Sequence, residues 1–143
     1  MAVQDRRDQD TRPFVLHTYP AVRDDEAVFA QDGARSEPLA PYTLLGQVAA
    51  TELYVPYNAG ASDGSQYPAG IYVGEEIPAA DIVAGDVEDL PVITHGIRFD
   101  EDQLVLENGT LATTVDDRTV RRLLTDRTLI PVNTVAASEQ ENT

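Results

Sequence analysis

The chain has 143 residues, no cysteine, ten basic residues (all arginine) and 25 acidic ones, for a formal net charge of −15 at pH 7. That length suits one domain with an appendage and can bury a core without metal or disulfide staples. The missing cysteines remove disulfide frameworks, thiol catalysis and cysteine-ligated zinc, and so acidic a surface disfavours direct nucleic-acid binding or docking to anionic membranes.

The N-terminus, MAVQDRRDQDTRP, is polar and mixed in charge, without the apolar core of a secretory signal. No apolar run reaches the roughly 18–20 residues that span a bilayer. The expectation is a soluble protein made in the cytoplasm. Its lysine-free acidity fits a GC-rich or salt-adapted host, or a surface that stays soluble at high local density.

Residues 1–41 are punctuated by Pro13, Pro20, Gly33, Pro38 and Pro41. They hold two short apolar patches, Phe14-Val15-Leu16 and Ala27-Val28-Phe29-Ala30. Patches without periodic partners do not build a core. This segment therefore reads as a flexible N-terminal arm, loose when free and able to order as an extended strand on a partner.

Residues 42–134 read as a β-rich domain. Leu44–Val48 and Leu53–Tyr57 are short apolar runs, followed by a loop rich in Asn, Gly, Ser and Asp. A third run, Ile71–Val73, is entered through Ala69-Gly70. The pattern is strand, strand, long turn, strand, with almost no side chain fit for chemistry. The segment GEEIPAADIVAGDVEDL reads as a strand end and a wide acidic loop, with Ile82, Val83 and Val87 pointing inward. Pro91–Phe99 is the most convincing strand. Ile93, Ile97 and Phe99 share one face at a period of two, His95 shares their parity, and Gly96 marks a bulge or a close approach.

Asp100-Glu101-Asp102 ends that strand, and Leu104–Leu106 gives a further short one closing at Asn108-Gly109. Thr114 is the expected N-cap of a single short helix, with Asp116 and Asp117 in its first turn. Val120, Leu123 and Leu124 form its buried face, Arg121, Arg122 and Arg127 lie towards its C-terminal side, and it stops near Thr125-Asp126. Leu129–Val132 makes a last strand, which Pro131 places at an edge or a strand end. Residues 135–143 read as a mobile polar tail. Short strands bounded by turn formers suit a mainly β barrel or clip.

The residue types that carry chemistry are scattered. His17 and His95 show no HxH or HExxH spacing, and His95 reads as a packed or interface residue. None of Ser36, Ser62, Ser65 and Ser138 lies in a G-x-S-x-G elbow. There is no phosphate-binding loop, and the glycines at 60, 64, 70 and 74 are spaced for turns. The acidic clusters Asp100-Glu101-Asp102 and Asp86-Glu88-Asp89 lack the EF-hand pattern and read as solvated faces. Without tryptophan, a sugar cleft between paired carboxylates has no support. Tyr54, Tyr57, Tyr67 and Tyr72 read as covering a core or an oligomer interface. No catalytic, cofactor-binding or metal-ligating residue is expected.

The stretch 43–73 resembles the lambda-like phage head decoration proteins. The resemblance rests on Leu45-Gly46, Tyr54-Val55-Pro56, Asp63-Gly64-Ser65 and Ala69-Gly70-Ile71. The downstream order is similar too: Val92-Ile93 followed by a glycine, a short apolar strand, a helix, and a terminal strand at Leu129-Ile130. The likeness covers about residues 28–132, with Pro68 and Glu52 departing from the usual pattern.

That resemblance implies a non-enzymatic protein with a β-clip-like body or incomplete barrel, one short helix near the C-terminus and an extended arm. It implies a homotrimer at threefold positions on the outside of the expanded head, cementing the shell against the pressure of packaged DNA. The partners would be the major capsid protein and two further copies, with no nucleic acid, membrane or cofactor. The arm would grip the capsid through Phe14, Val15, Leu16, Tyr19, Val28 and Phe29. The like-charged copies would keep acidic residues outside the trimer interface. Two other classes stay open: a tail or fibre adhesion module, and a trimeric β-clip nucleotide hydrolase.

Overall fold

The computed structural model describes residues 13–133 and is mainly β, with 45% strand against 13% helix. Its spine is the 14-residue strand β5, Val87–Asp100. Leu90, Val92, Ile93, Ile97 and Phe99 are buried along it. The strand expected at 91–99 thus starts earlier, at Val87. Around this spine lie β1 (Val15–Phe29), β2 (Leu44–Gln47), β3 (Tyr54–Pro56), β4 (Pro68–Tyr72) and β8 (Leu129–Val132).

The sheet order is β1-β3-β2-β4-β5-β8, and β1 also pairs with β5. Five strands therefore form a ring, with β8 added in parallel to β5. The ring closes between β1 and β3 through one parallel pair, Phe29 and Tyr54. The architecture is an incomplete barrel. β8 ends the sheet order, where Pro131 removes no donor that an inner neighbour needs.

Successive residues on a strand point to opposite faces, and here both faces are filled. Leu44, Ile71 and Ile93 pack with Phe14, Tyr57, Ile97, Phe99, Val120, Leu124 and Leu129. Their neighbours Leu45, Tyr72 and Val92 pack with Ala27, Phe29, Leu39, Tyr54, Ile82 and Leu90 on the other side. Phe14 stacks on Tyr42 at 4.1 Å and on Phe99 at 5.2 Å between ring centroids.

The expected loose arm is, from residue 13 onward, part of the fold; residues 1–12 and 134–143, with the expected mobile tail, lie outside the described residues. β1 is the longest strand, with 15 residues, and runs antiparallel along β5 from Val15–Phe99 to Phe29–Val87. Its backbone groups are satisfied by a strand some 60 to 80 residues away, which local periodicity does not reveal. Phe14 and Phe29 pin its two ends in the two core clusters. Leu39, completely buried, bridges Ile77.

β1 also breaks the period of two. Thr18 pairs with Ile97 and Val22 with His95, so Tyr19-Pro20-Ala21 bulges across the single residue Gly96. Gly96 sits at φ +89°, and a Cβ there would lie 2.4 Å from the Tyr19 carbonyl oxygen. The close approach expected at Gly96 is thereby identified. His95 is exposed rather than packed with Ile93 and Ile97.

Three further expectations are corrected. Residues 79–84 form a short helix, α1 (Ala79–Ala84), inside the segment read as a loop; it buries Ile82 and leaves Val83 exposed, with Val87 half-buried on β5. Leu104–Leu106 is not a strand: after a 3-10 turn at Glu101–Gln103, Val105 alone bridges Thr43. Thr114 does not cap a helix. Thr114–Val115 (β6) and Arg118–Thr119 (β7) make a small hairpin, whose turn residues Asp116 and Asp117 sit at φ 53° and 67°. Such left-handed pairs suit two-residue hairpin turns, and aspartate tolerates them well.

The helix starts five residues later, as α2 (Val120–Asp126), and ends where expected. Thr119 caps it, its Oγ1 accepting from the Arg122 amide at 3.1 Å. Arg121 and Arg122 therefore lie in the first turn, and carboxylates offset them there. Arg121 pairs with Glu101 at 2.5 Å and Arg122 with Asp126 at 3.1 Å. Among the described residues, no helix is long and apolar enough to cross a membrane.

Candidate functional site

The residues singled out by the sequence fall into two places. Leu45 and Gly46 lie on β2, Tyr54-Val55-Pro56 is β3, and Ala69-Gly70-Ile71 runs along β4. Leu45 pairs with Pro56 on one side and Gly70 on the other. Gly46 pairs with Val55. Asp63-Gly64-Ser65 folds over this ladder. A Cβ on Gly46 would lie 2.4 Å from the Ser65 carbonyl oxygen and 2.7 Å from its Cα, so only glycine lets the loop lie flat on β2.

The loop is also tied by hydrogen bonds. The Ala49 amide donates to the Asp63 carbonyl at 2.9 Å, and the Asn58 amide to the Ser65 carbonyl at 3.2 Å. The Asp63 carboxylate accepts from the Ser65 hydroxyl at 2.6 Å and the Ser65 amide at 3.0 Å. Those two bonds, the hydroxyl foremost, hold the Asp63 carboxyl below the usual carboxylate range. Gly64 adopts φ +109° at the turn, and Gly70 lies against the Val92 side chain. Leu45, Tyr54, Ala69 and Ile71 are buried. These residues hold one another.

The residues expected to grip a partner divide differently. Phe14 and Phe29 are buried in the core, and Val15 and Val28 are half-buried. Of the six, only Leu16 and Tyr19 are exposed. Sequence reasoning missed Val22, at 52% the most exposed large apolar residue among the described residues. A signal was present: no acidic residue occurs between Phe14 and Val22. The His17 ring meets Tyr19 edge-on at 4.7 Å. Across the ribbon His17 pairs with Arg98 and Val22 with His95.

Of the four tyrosines expected to cover a core or an oligomer interface, Tyr54, Tyr57 and Tyr72 are buried in the core. Tyr67 is exposed and donates its hydroxyl to Asp116. The carboxylate Asp100, read as part of a solvated face, is instead fully buried. It accepts from the Asp102 amide at 3.1 Å and from Gln103 Nε2 at 2.9 Å, fixing the turn that ends β5. No group of three or more His, Cys, Asp or Glu fit to hold a metal occurs among the described residues.

A cleft of about 380 Å³ opens beside the end of β1, with Asp32, Arg35, Asn58, Asp63 and Glu107 on its walls. Its one cation is already engaged. Arg35 Nε donates to the Glu37 carbonyl at 2.7 Å, Nη2 to the Pro38 carbonyl at 3.0 Å, and the two Nη atoms grip Glu107 at 2.6 and 2.7 Å. Glu107 raises the Arg35 pKa further above its ordinary value. A guanidinium so occupied is a clamp between the segment before β2 and the loop after β5, and it is not free to receive a phosphate. The partners lie 72 residues apart, beyond the reach of any local sequence pattern.

No family model matches the chain, and no curated protein shows significant similarity to it.

Proposed function

We propose that this chain is a capsid decoration protein of the lambda-like phage head type: a homotrimer that binds the major capsid protein at threefold positions of the expanded head and cements the shell. The reading rests on the likeness of residues 43–73 to that family. One observation supports it best: the motif residues meet in a single frame, with the Asp-Gly-Ser loop lying against Gly46 at a distance that no side chain permits. A frame of this kind serves shape and leaves the surface to make contacts. Three linked copies would add weak contacts through effective concentration. The clamp on Arg35 speaks against the nucleotide hydrolase reading, which needs cations offered to phosphates.

The test is co-sedimentation of the purified chain with expanded heads of the phage that encodes it, stripped of their own decoration protein. The expected result is saturable binding and heads that resist heating better. Failure to bind at saturating concentration would overturn the proposal. Light scattering from low to high salt reads the trimer: screening should favour association of chains at −15 each.

A further inference from the structure

The outer edge of β1 has no strand beside it before Phe29 meets Tyr54. Natural sheet edges are commonly blunted by charges, prolines and bulges. Here Pro20 and the Tyr19–Ala21 bulge are present, but the charges begin only at Arg23, and from Leu16 to Val22 there is no acidic residue and no arginine. Leu16, Tyr19 and Val22 stand exposed along seven residues, three of the five exposed large apolar side chains among the described residues.

The charge pattern of the ribbon points the same way. Neither 15–23 nor 93–99 contains an acidic residue, in a chain with 25. Both histidines lie there, His17 opposite Arg98 and His95 opposite Val22. Seven arginines fall among the described residues, and five pair with carboxylates. The two without a carboxylate are Arg98, on the ribbon itself, and Arg127, beside it. The loop carrying Arg127 is bound to the same strand, since the Gly96 and Ile97 amides donate to the Thr128 carbonyl at 2.8 and 2.9 Å. Arg127 spends one Nη on the Ala69 carbonyl at 3.0 Å, and its buried Nε has no acceptor. The acidic run resumes at Asp24, which marks the end of the patch.

We infer that the β1 edge from Leu16 to Arg23 is a docking edge for an acidic, extended polypeptide segment of a partner protein, which adds to the sheet as a further strand. Main-chain hydrogen bonds would supply affinity, Leu16, Tyr19 and Val22 the apolar contacts, and Arg98 the preference for acid. Pro20 offers no donor, so the segment pairs in two short runs on either side of the bulge. A second copy of this chain is the weaker candidate for a symmetric pairing, because it would bring a second Arg98 and no acidic segment to the edge. The inference rests on the decoration reading only for the source of the segment, a capsid subunit.

The experiment measures fluorescence anisotropy of labelled (Glu-Val)5 and (Lys-Val)5 peptides with the full chain. Variants are Leu16→Glu, Val22→Glu and Arg98→Glu, all at exposed positions, with melting curves to establish that they fold. The acidic peptide should bind and the basic one should not. Each substitution should weaken binding about tenfold, and so should raising the salt from low to physiological strength. No binding of the acidic peptide, equal binding of the basic one, or indifference to all three substitutions would overturn the docking edge. Self-association abolished by the same substitutions, without peptide binding, would overturn it in favour of a second copy. Heads that bind Arg98→Glu as well as the natural chain would leave the decoration reading standing and remove this edge from it. Peptide binding without head binding would do the reverse.

Discussion

The motif frame of residues 44–72 and the ribbon of β1 on β5 use β-structure in opposite ways. In the frame, short strands are buried on both faces, and a loop lies on the backbone of Gly46. In the ribbon, a long strand is pinned only at its ends by Phe14 and Phe29, and the residues from Leu16 to Arg23 are exposed. The frame spends its side chains on itself. The ribbon holds its backbone in place through β5 and leaves its side chains for something else. The second arrangement is where partner recognition can reside.

The sharpest way to break this contrast is to mutate one anchor and one exposed residue of the same strand. Phe29→Ala should cost about 3–5 kcal/mol in urea unfolding, because its ring is 1% exposed between β3 and the Leu39 side of the core. Leu16→Ala should stay within about 0.5 kcal/mol. Equal, small losses would restore the loose arm.

Arg35→Met should cost about 3 kcal/mol by the same measurement, since it strands Glu107 beside a cleft wall and frees the Glu37 and Pro38 carbonyls. A loss below about 1 kcal/mol would reduce the clamp to a surface pair. Gly96→Ala should cost about 1–3 kcal/mol, through its positive φ and the crossing of Tyr19 and Pro20. It should loosen the ribbon more than the frame, visible as faster amide exchange in 15–23 than in 44–47. Uniform acceleration would mean that ribbon and frame open as one unit.

The smallest effect is one of pH. The folded chain holds the Asp63 carboxyl low, so its contribution to stability is complete above the ordinary carboxylate value, about 4. It is lost as pH falls through the depressed value. Ser65→Ala removes the larger cause. The variant's unfolding midpoint should therefore fall less steeply than the natural chain's below about pH 4. Parallel curves would show that the Ser65 bonds do not set the Asp63 ionisation. His95 works from the other direction. Partial burial and then Arg127 hold its pKa below the ordinary value, so the neutral form is favoured in the folded state, and stability falls as pH drops below about 6.5.

Local patterns read well from the sequence wherever the partners lay close along the chain. β2, β3 and β4 pair across short connections, and the turn formers between them set the register. β8 and the end of α2 were equally readable. β1 was not, because Val15 meets Phe99 and its alternation is broken by the bulge over Gly96. The start of α2 was misplaced because Thr114 and Thr119 are both good caps, and Asp116-Asp117 turned left-handed between them. Gly96 announced a close approach without naming the neighbour, and the one at Gly46 had no sign of its own. The Arg35–Glu107 clamp and the isolated Arg98 needed three dimensions, since charge pairing depends on who folds next to whom.

The most direct measurement of the central claim is a cryo-microscopy reconstruction of expanded heads incubated with this chain. The account predicts threefold density on the outer surface, three copies per site, with the Leu16–Arg23 edge of β1 against an extended capsid segment. Heads that show no added density at saturating protein, or density in which that edge faces solvent while another surface makes the contact, would contradict it.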